Sequence, residues 1–457
     1  MPAISGAAVN TDKSMSENKT SSWIGATRVL VGLLLAYELA FGGWWKLNTD
    51  WIGIGAGGPL AARAARAVSD GTYIWYSVIL ETVVIPYAWV WSNLALALQL
   101  LFALALLFGF WTRPAAVIGV LYFMTVFNMG TIRTSPTFAV AIAFLLVTNA
   151  GYHYGLDAWI RQQSGKWAQW SDRIASFGSI SRSRHPYIAA SAALIGLYYL
   201  LTIPERGYAF ADGLALVGVE LTLLSAVVAG GFALAYRGAN VISLAADGLR
   251  VFIGYRLLHE VFVRIDPGVN TLPGWAPLES QEAVFTDIAA AHISPVTIFI
   301  EAVILPILPA WVIFFAVIQT VSGIALFIGY RTRLFGFITV GYLVMLIALG
   351  FVRLAPLLLM SAIPAATLGG RYASIDSING RSQNPMTVTF SQLPVSSQTM
   401  LYGLSVISVV FVVVGLVLGV EPSGYRSTTG QISLVMIGFT IAALVFGAQG
   451  FSSPEQT

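Results

Sequence analysis

The pentapeptide Gly109-Phe110-Trp111-Thr112-Arg113 returns as Gly329-Tyr330-Arg331-Thr332-Arg333, 220 positions later. Other pairs keep nearly the same distance. Glu81-Thr-Val-Val-Ile-Pro86 answers to Glu301-Ala-Val-Ile-Leu-Pro306, and Gln99 to Gln319, both at 220. Arg28 and Glu38 answer to Arg250 and Glu260 at 222, and Gly151 to Asp157 answers to Gly370 to Asp376 at 219. Gly207-Tyr208 recurs as Gly424-Tyr425. Ordered matches at a near-constant offset predict an internal duplication, and with it two halves built on one plan.

Each copy of the pentapeptide follows one long apolar run and opens another. Runs near 20 residues cross the hydrocarbon core of a bilayer. Only 10% of the residues are charged, against about 25% in a soluble domain. The expected class is an all-α polytopic transmembrane protein. Its 13 Trp and 18 Tyr suit the membrane interface, where such rings settle.

Residues 1–22 are polar, lack the basic-then-apolar order of a secretory signal, and read as a disordered cytoplasmic tail. Residues 23–160 make a first bundle and 241–376 its counterpart. Polar linkers follow at 161–186 and 377–398, then two-helix units at 187–240 and 399–450, and a short tail at 451–457. Tyr73–Trp91 and Ser294–Pro309 are apolar but broken by Pro86 and Pro306. They are expected to be half-inserted, because a freed backbone at depth must be shielded by protein. Residues 48–70 read as a Gly-rich loop and 266–292 as an acidic one. With the broken segments not crossing, about twelve spans remain, in two parallel six-span repeats. Most basic residues then fall on one side, which basic loops mark as cytoplasmic. Both termini are expected on the cytoplasmic side of the cell membrane.

Four carboxylates stand in apolar surroundings. Glu38 and Glu260 lie about ten residues, roughly 15 Å, into the first expected span of each half. Glu81 and Glu301 lie five residues before Pro86 and Pro306. Ionisable groups at such depth are functional candidates, here for proton handling. A structural ion pair is the other role open to Glu260, because Arg256 and Arg264 stand one turn either side of it. An interfacial position is the other role open to Glu81 and Glu301. Arg256 and His259 are candidate supports. Gln99 and Gln319 could bind a substrate or tie helices together by hydrogen bonds. Arg113 and Arg333 mark a membrane edge. Asp157 and Asp376 look like caps on interfacial helices.

With no Cys, disulfides, thiolate nucleophiles and cysteine-ligated clusters are excluded. Of the four His, His259 alone falls within an expected span, so a bis-histidine haem is not expected. Gly53 to Gly58 lacks the preceding strand and the following unit of a dinucleotide loop. There is no phosphate-binding loop for ATP, and the net charge of +3 does not point to nucleic acid.

Three segments carry a family resemblance. They are Arg28-Val-Leu-Val-Gly32 with Gly43-Trp-Trp-Lys46-Leu47, the pentapeptide with its repeat, and Gly369-Gly-Arg371-Tyr-Ala-Ser-Ile-Asp376 with its looser version at Gly151 to Asp157. Over roughly 28–157 and 250–376 each half resembles the DoxX/DoxD family. That family comprises small integral-membrane proteins and includes a subunit of thiosulfate:quinone oxidoreductase. The family often has Glu where Gln99 and Gln319 stand, and Arg264-Ile265-Asp266 replaces the Lys-Leu ending in the second half. The resemblance implies a quinone-interacting subunit of a membrane redox complex, with Glu38, Glu81, Glu260 and Glu301 at its centre. Quinone would be a substrate rather than a resident cofactor, and a soluble or membrane partner subunit would supply the electrons. A proton-coupled transporter and a non-catalytic scaffold are the alternatives.

Overall fold

The computed structural model describes residues 20–38, 50–51, 53, 55, 57–130, 134–177, 180–202, 213–265, 278–372, 374–378, 397–419 and 428–449, and among them the chain is all helical. The expected tails (beyond 20–22), most of the second linker, Gly43 to Leu47 and Asp266 lie outside the described residues. The first half runs through α1 (20–38), α2 (Gly58–Ser69), α3 (Ile74–Ile79, continued by a π-helical turn, Leu80–Val84), α4 (Ala88–Phe108), α5 (Thr112–Asn128) and α6 (Ser135–Thr148). Then come α7 (Leu156–Arg161), α8 (Lys166–Ala175), α9 (His185–Thr202) and α10 (Gly213–Tyr236). The second half comprises α11 (Val241–Ile265), α12 (Leu278–Ala290), α13 (Ser294–Phe299, with a π-helical turn at Ile300–Ile304), α14 (Leu308–Ile328), α15 (Thr332–Ala348), α16 (Ala355–Leu368), α17 (Ile375–Ile378), α18 (Ser397–Val417) and α19 (Thr429–Gln449). From α3 to α6 and from α13 to α16, every helix boundary differs by 220 residues.

Five described helical stretches are long and apolar enough to cross a membrane: Ala88–Phe108, Val217–Tyr236, Ser294–Ile328, Thr399–Val417 and Thr429–Ala448. Their outward faces are apolar, as at Leu100, Leu101, Val317 and Val413, which suits lipid and not water. The expected spans at α6 and α16 are only 14 residues long, about 21 Å. Every residue of α16 is buried. A helix apolar all round belongs in the core, and α6 and α16 pack there against α11 and against each other.

The pentapeptide is a joint between two helices. Gly109 and Gly329 end α4 and α14 with φ of 68° and 72°, a left-handed turn that glycine makes without steric penalty. The next helix is capped from a distance. Asp157 accepts from the backbone N–H of Trp111 at 2.7 Å and of Thr112 at 3.0 Å. Asp376 accepts from Arg331 at 2.9 Å and Thr332 at 2.8 Å. The two aspartates thus satisfy orphan donors at the starts of α5 and α15, rather than capping α7 and α17 as expected. Burial raises the Asp157 carboxyl above its usual range, while these backbone donors pull it back.

The Arg-x-x-x-Gly opening serves the other side of the joint. Arg28 donates to the carbonyls of Leu106 at 2.9 Å and Leu107 at 2.5 Å, at the end of α4. Arg250 does the same to Leu326 and, at 3.0 Å, to Phe327, at the end of α14. A guanidinium there meets the negative end of the helix dipole. One turn on, Gly32 lies against the backbone of Leu107, and a Cβ on Gly254 would come 2.5 Å from the Phe327 nitrogen. Small residues permit this close crossing of apolar helices.

The two-helix units tie the halves together crosswise. α10, from the first unit, packs on α11 and α5, while α19 packs on α15 and, through Gly447 against Trp23 and Phe446 against Gly25, on α1. A second core joins α2 and α3 to α9 and α10 through Ala64, Tyr73, Tyr76, Tyr199, Val217 and Leu221.

Three expected loops contain helices. The Gly-rich loop holds α2, which buries Ala64 and Ala67 and turns Arg63 and Arg66 outward. The acidic loop holds α12, and the first linker holds α8, which buries Ala168, Ser171 and Ala175. In each, two or three buried residues three or four apart (Phe285 and Ala289 in α12) make a narrow stripe that hydropathy alone passes over.

Candidate functional site

α10 is uncharged from Gly213 to Tyr236 except at Glu220, and that residue is buried. It faces α11, where the Arg256 guanidinium holds its Oε1 through a charge-assisted hydrogen bond. Glu260, one turn along α11, lies 3.6 Å from the same guanidinium and keeps 14% of its side chain exposed. Two carboxylates therefore share one arginine in an apolar interior. Tyr255 and His259 flank it, their rings 5.8 Å apart. Glu220 Oε2 and Tyr255 Oη are buried without a hydrogen-bond partner among the described residues.

Taking such a cluster out of water costs several kcal/mol per ion. The site is deep. Arg256 stands 15 residues beyond the start of α11, about 22 Å. Glu220 stands 16 residues before the end of α10, about 24 Å from the same end of the bundle. Chemically, the cluster offers a carboxylate oxygen, a phenol and two carboxylates on one guanidinium. It can bind a polar ligand head and hold or release a proton.

The structure brings together only part of the expected constellation. Glu260, Arg256 and His259 belong to the cluster. Glu38 is half-buried at the end of the described part of α1. Glu260 is not mid-span as expected, because α11 begins at Val241, eight residues earlier than hydropathy suggests, which puts Glu260 19 residues beyond its start. Asn240 caps α11, its side chain accepting from Ser243 N at 3.1 Å. Asp247 in its second turn is buried, accepting from Arg250 Nε at 3.0 Å and from the Gly370 and Tyr372 N–H groups at 2.6 and 2.8 Å.

Glu81 and Glu301 depart further from expectation: both are exposed. In the π-helical turns Leu80 and Val84, and equally Ile300 and Ile304, take the inward face, so the adjacent glutamate points away. Pro86 and Pro306 cannot donate in the following turn, and Ile85 N instead bonds Leu80 O five residues back, at 2.8 Å. Gln99 and Gln319 also lie apart from the cluster. Gln99 donates to Tyr122 Oη and Gln319 to Tyr342 Oη at 2.5 Å. They tie α4 to α5 and α14 to α15, the helix-linking role open to them. The side chain of Arg264 is outside the described residues.

The equivalent junction, where α19 meets α1, keeps Glu38 at the place of Glu260 but lacks the arginine. The 222 offset puts Leu34 at the place of Arg256, and Leu34 is 2% exposed. α19 carries no charged residue from Thr429 to Gln449. The Glu220–Arg256 pair thus has no charged counterpart at the α19–α1 junction. Among the described residues no group of three or more His, Asp or Glu side chains is placed to hold a metal ion.

Comparison with family models, curated proteins and solved structures finds no match.

Proposed function

We propose that the chain is a membrane-embedded tandem repeat, two parallel six-span halves of DoxX-like plan, that handles quinone and protons for a membrane redox complex. The observation that carries this reading is the buried Glu220–Arg256–Glu260 cluster with its unpaired Glu220 and Tyr255 oxygens. An ionisable group kept at depth is by default functional, and a quinone head needs hydrogen-bond donors and proton exchange at such a place. The constant offset of the helix boundaries and the paired Arg28/Arg250 and Asp157/Asp376 contacts support the duplication. The resemblance supplies the quinone and, through it, a sulfur-compound electron donor held by a partner subunit.

Charge supports the orientation. Arg113, Arg161, Lys166, Arg173, Arg237 and Arg371 gather at the end of the bundle that holds both pentapeptide joints, which we take as cytoplasmic. The reading is tested by quinone content. Protein extracted gently from its membrane should carry quinone, and Glu220→Gln should lose it. Quinone-free wild-type protein would count against the proposal.

A second reading is favoured by the sharing of one guanidinium between two carboxylates, an arrangement that can carry a proton across a cycle. It is a proton-coupled transporter with its site at the junction of the halves. Uptake into vesicles driven by a proton gradient, and abolished by Glu260→Gln, would select it.

A further inference from the structure

A groove of about 230 Å³ opens between α5 and α6 on one wall and α10 and α11 on the other. Its lining is wholly apolar. It runs from Ala235 and Val241, either side of the α10–α11 turn, to Leu224 and Leu249. On α10 this is about 17 Å of helix, close to half of a hydrocarbon core roughly 30 Å thick. The inner end stops about one turn short of Glu220, so the groove itself stays dry.

The outer end is basic. Arg237 is exposed in the α10–α11 turn. Arg182 reaches over to the same turn, donating to Tyr236 O through Nε at 3.1 Å and Nη2 at 2.8 Å. Arg184 is exposed beside it. No Asp or Glu occurs in 180–202 or 221–246 to offset them.

The counterpart groove is filled by the chain itself. The 222 offset puts Trp23 at the place of Ala245, and the 220 offset puts Leu359 and Ile363 at the places of Ala139 and Ala143. All three larger side chains are buried, and Trp23 presses on Gly447. Smaller residues leave one junction open where the other is packed solid.

We infer that the open groove holds one acyl chain of an anionic phospholipid, with the phosphate of its headgroup on Arg182, Arg184 and Arg237. The length matches one leaflet, the lining matches a hydrocarbon chain, and the charge at the mouth matches a phosphate at the bilayer edge. The occupant differs from a quinone because the polar end of the groove is basic and lies at the membrane surface. The inference is independent of the ion cluster's role.

The test is native mass spectrometry of the full chain released from vesicles of equimolar phosphatidylglycerol and phosphatidylcholine. One phosphatidylglycerol per chain is expected to survive release in preference to phosphatidylcholine. Ala245→Trp, which copies the filled junction, should abolish retention, and the milder Ala143→Ile should weaken it. Arg182→Gln and Arg237→Gln, both at the surface, should each lower the preference for phosphatidylglycerol about fivefold. Equal retention of the two lipids, retention unchanged in the filled variants, or quinone in place of phospholipid would overturn the inference.

Discussion

Arg256 and Glu220 face each other across the packing of α11 on α10, each side chain 1% exposed. Glu260 then shares the same guanidinium, so two carboxylates meet on one arginine. Structure alone does not require the Glu220–Arg256 pair, because the equivalent junction packs around Leu34 at the place of Arg256 and α19 carries no charge.

Substitution should separate the structural from the chemical role of this pair. Arg256→Met leaves two buried carboxylates uncompensated and is expected to cost about 3–5 kcal/mol. The double variant Glu220→Met with Arg256→Leu imitates the other junction, where Leu34 stands at the place of Arg256. It should unfold at or above the wild-type temperature, because an apolar replacement of a buried pair is commonly neutral or stabilising. Thermal unfolding in detergent measures both. A double variant as unstable as the single one would mean that the pair is a structural necessity.

The joints should behave alike in the two halves. Asp157→Ala and Asp376→Ala each orphan two backbone N–H groups at a helix start. Each is expected to lower stability by about 1–3 kcal/mol, with the asparagine variants in between. Unequal losses in unfolding experiments would argue against equivalent roles.

Much of this arrangement could be read in the chain beforehand. The pentapeptide, Arg28 with Arg250 and Asp157 with Asp376 stood out because joints between helices need specific residues at fixed spacing. Glu220 was missed because it has no partner at helical spacing in its own segment. Its signal was being the lone charge in an apolar run, and its partner Arg256 is distant in sequence. Glu81 and Glu301 misled because proximity to proline says where a backbone is broken, not which way a side chain faces. α2, α8 and α12 escaped because short amphipathic helices, with few apolar residues, look like loops by hydropathy.

Acid should weaken the fold through two half-buried histidines. Burial lowers the pKa of His153 below its ordinary 6.5, and the charge of Arg28 adds to this, against the Thr148 backbone contact. Burial likewise lowers His292. As pH falls through 6.5 the unfolded chain takes up protons that the folded chain refuses. Stability is therefore complete above that pH and lost below it. Unfolding temperatures at about pH 7.5 and about pH 5.5 should differ, and His153→Gln should narrow the gap. A gap unchanged by that substitution would remove His153 from the explanation.

The proposed parallel arrangement of the halves makes a clear labelling prediction, and a chain without Cys is a clean background for it. Asp70→Cys and Ala290→Cys, 220 apart, should react only with reagent outside the cell. Gln162→Cys and Ile378→Cys, near the two joints, should react only from inside. Opposite sidedness for Asp70 and Ala290 would show an inverted pair of halves.

The most direct measurement is the quinone bound per chain in protein extracted without delipidation, wild type beside the Glu220→Met, Arg256→Leu double variant. One quinone per wild-type chain, absent from a double variant that still folds, is the expected result. No quinone on the wild type, or the same amount on both, would contradict a quinone site at this cluster.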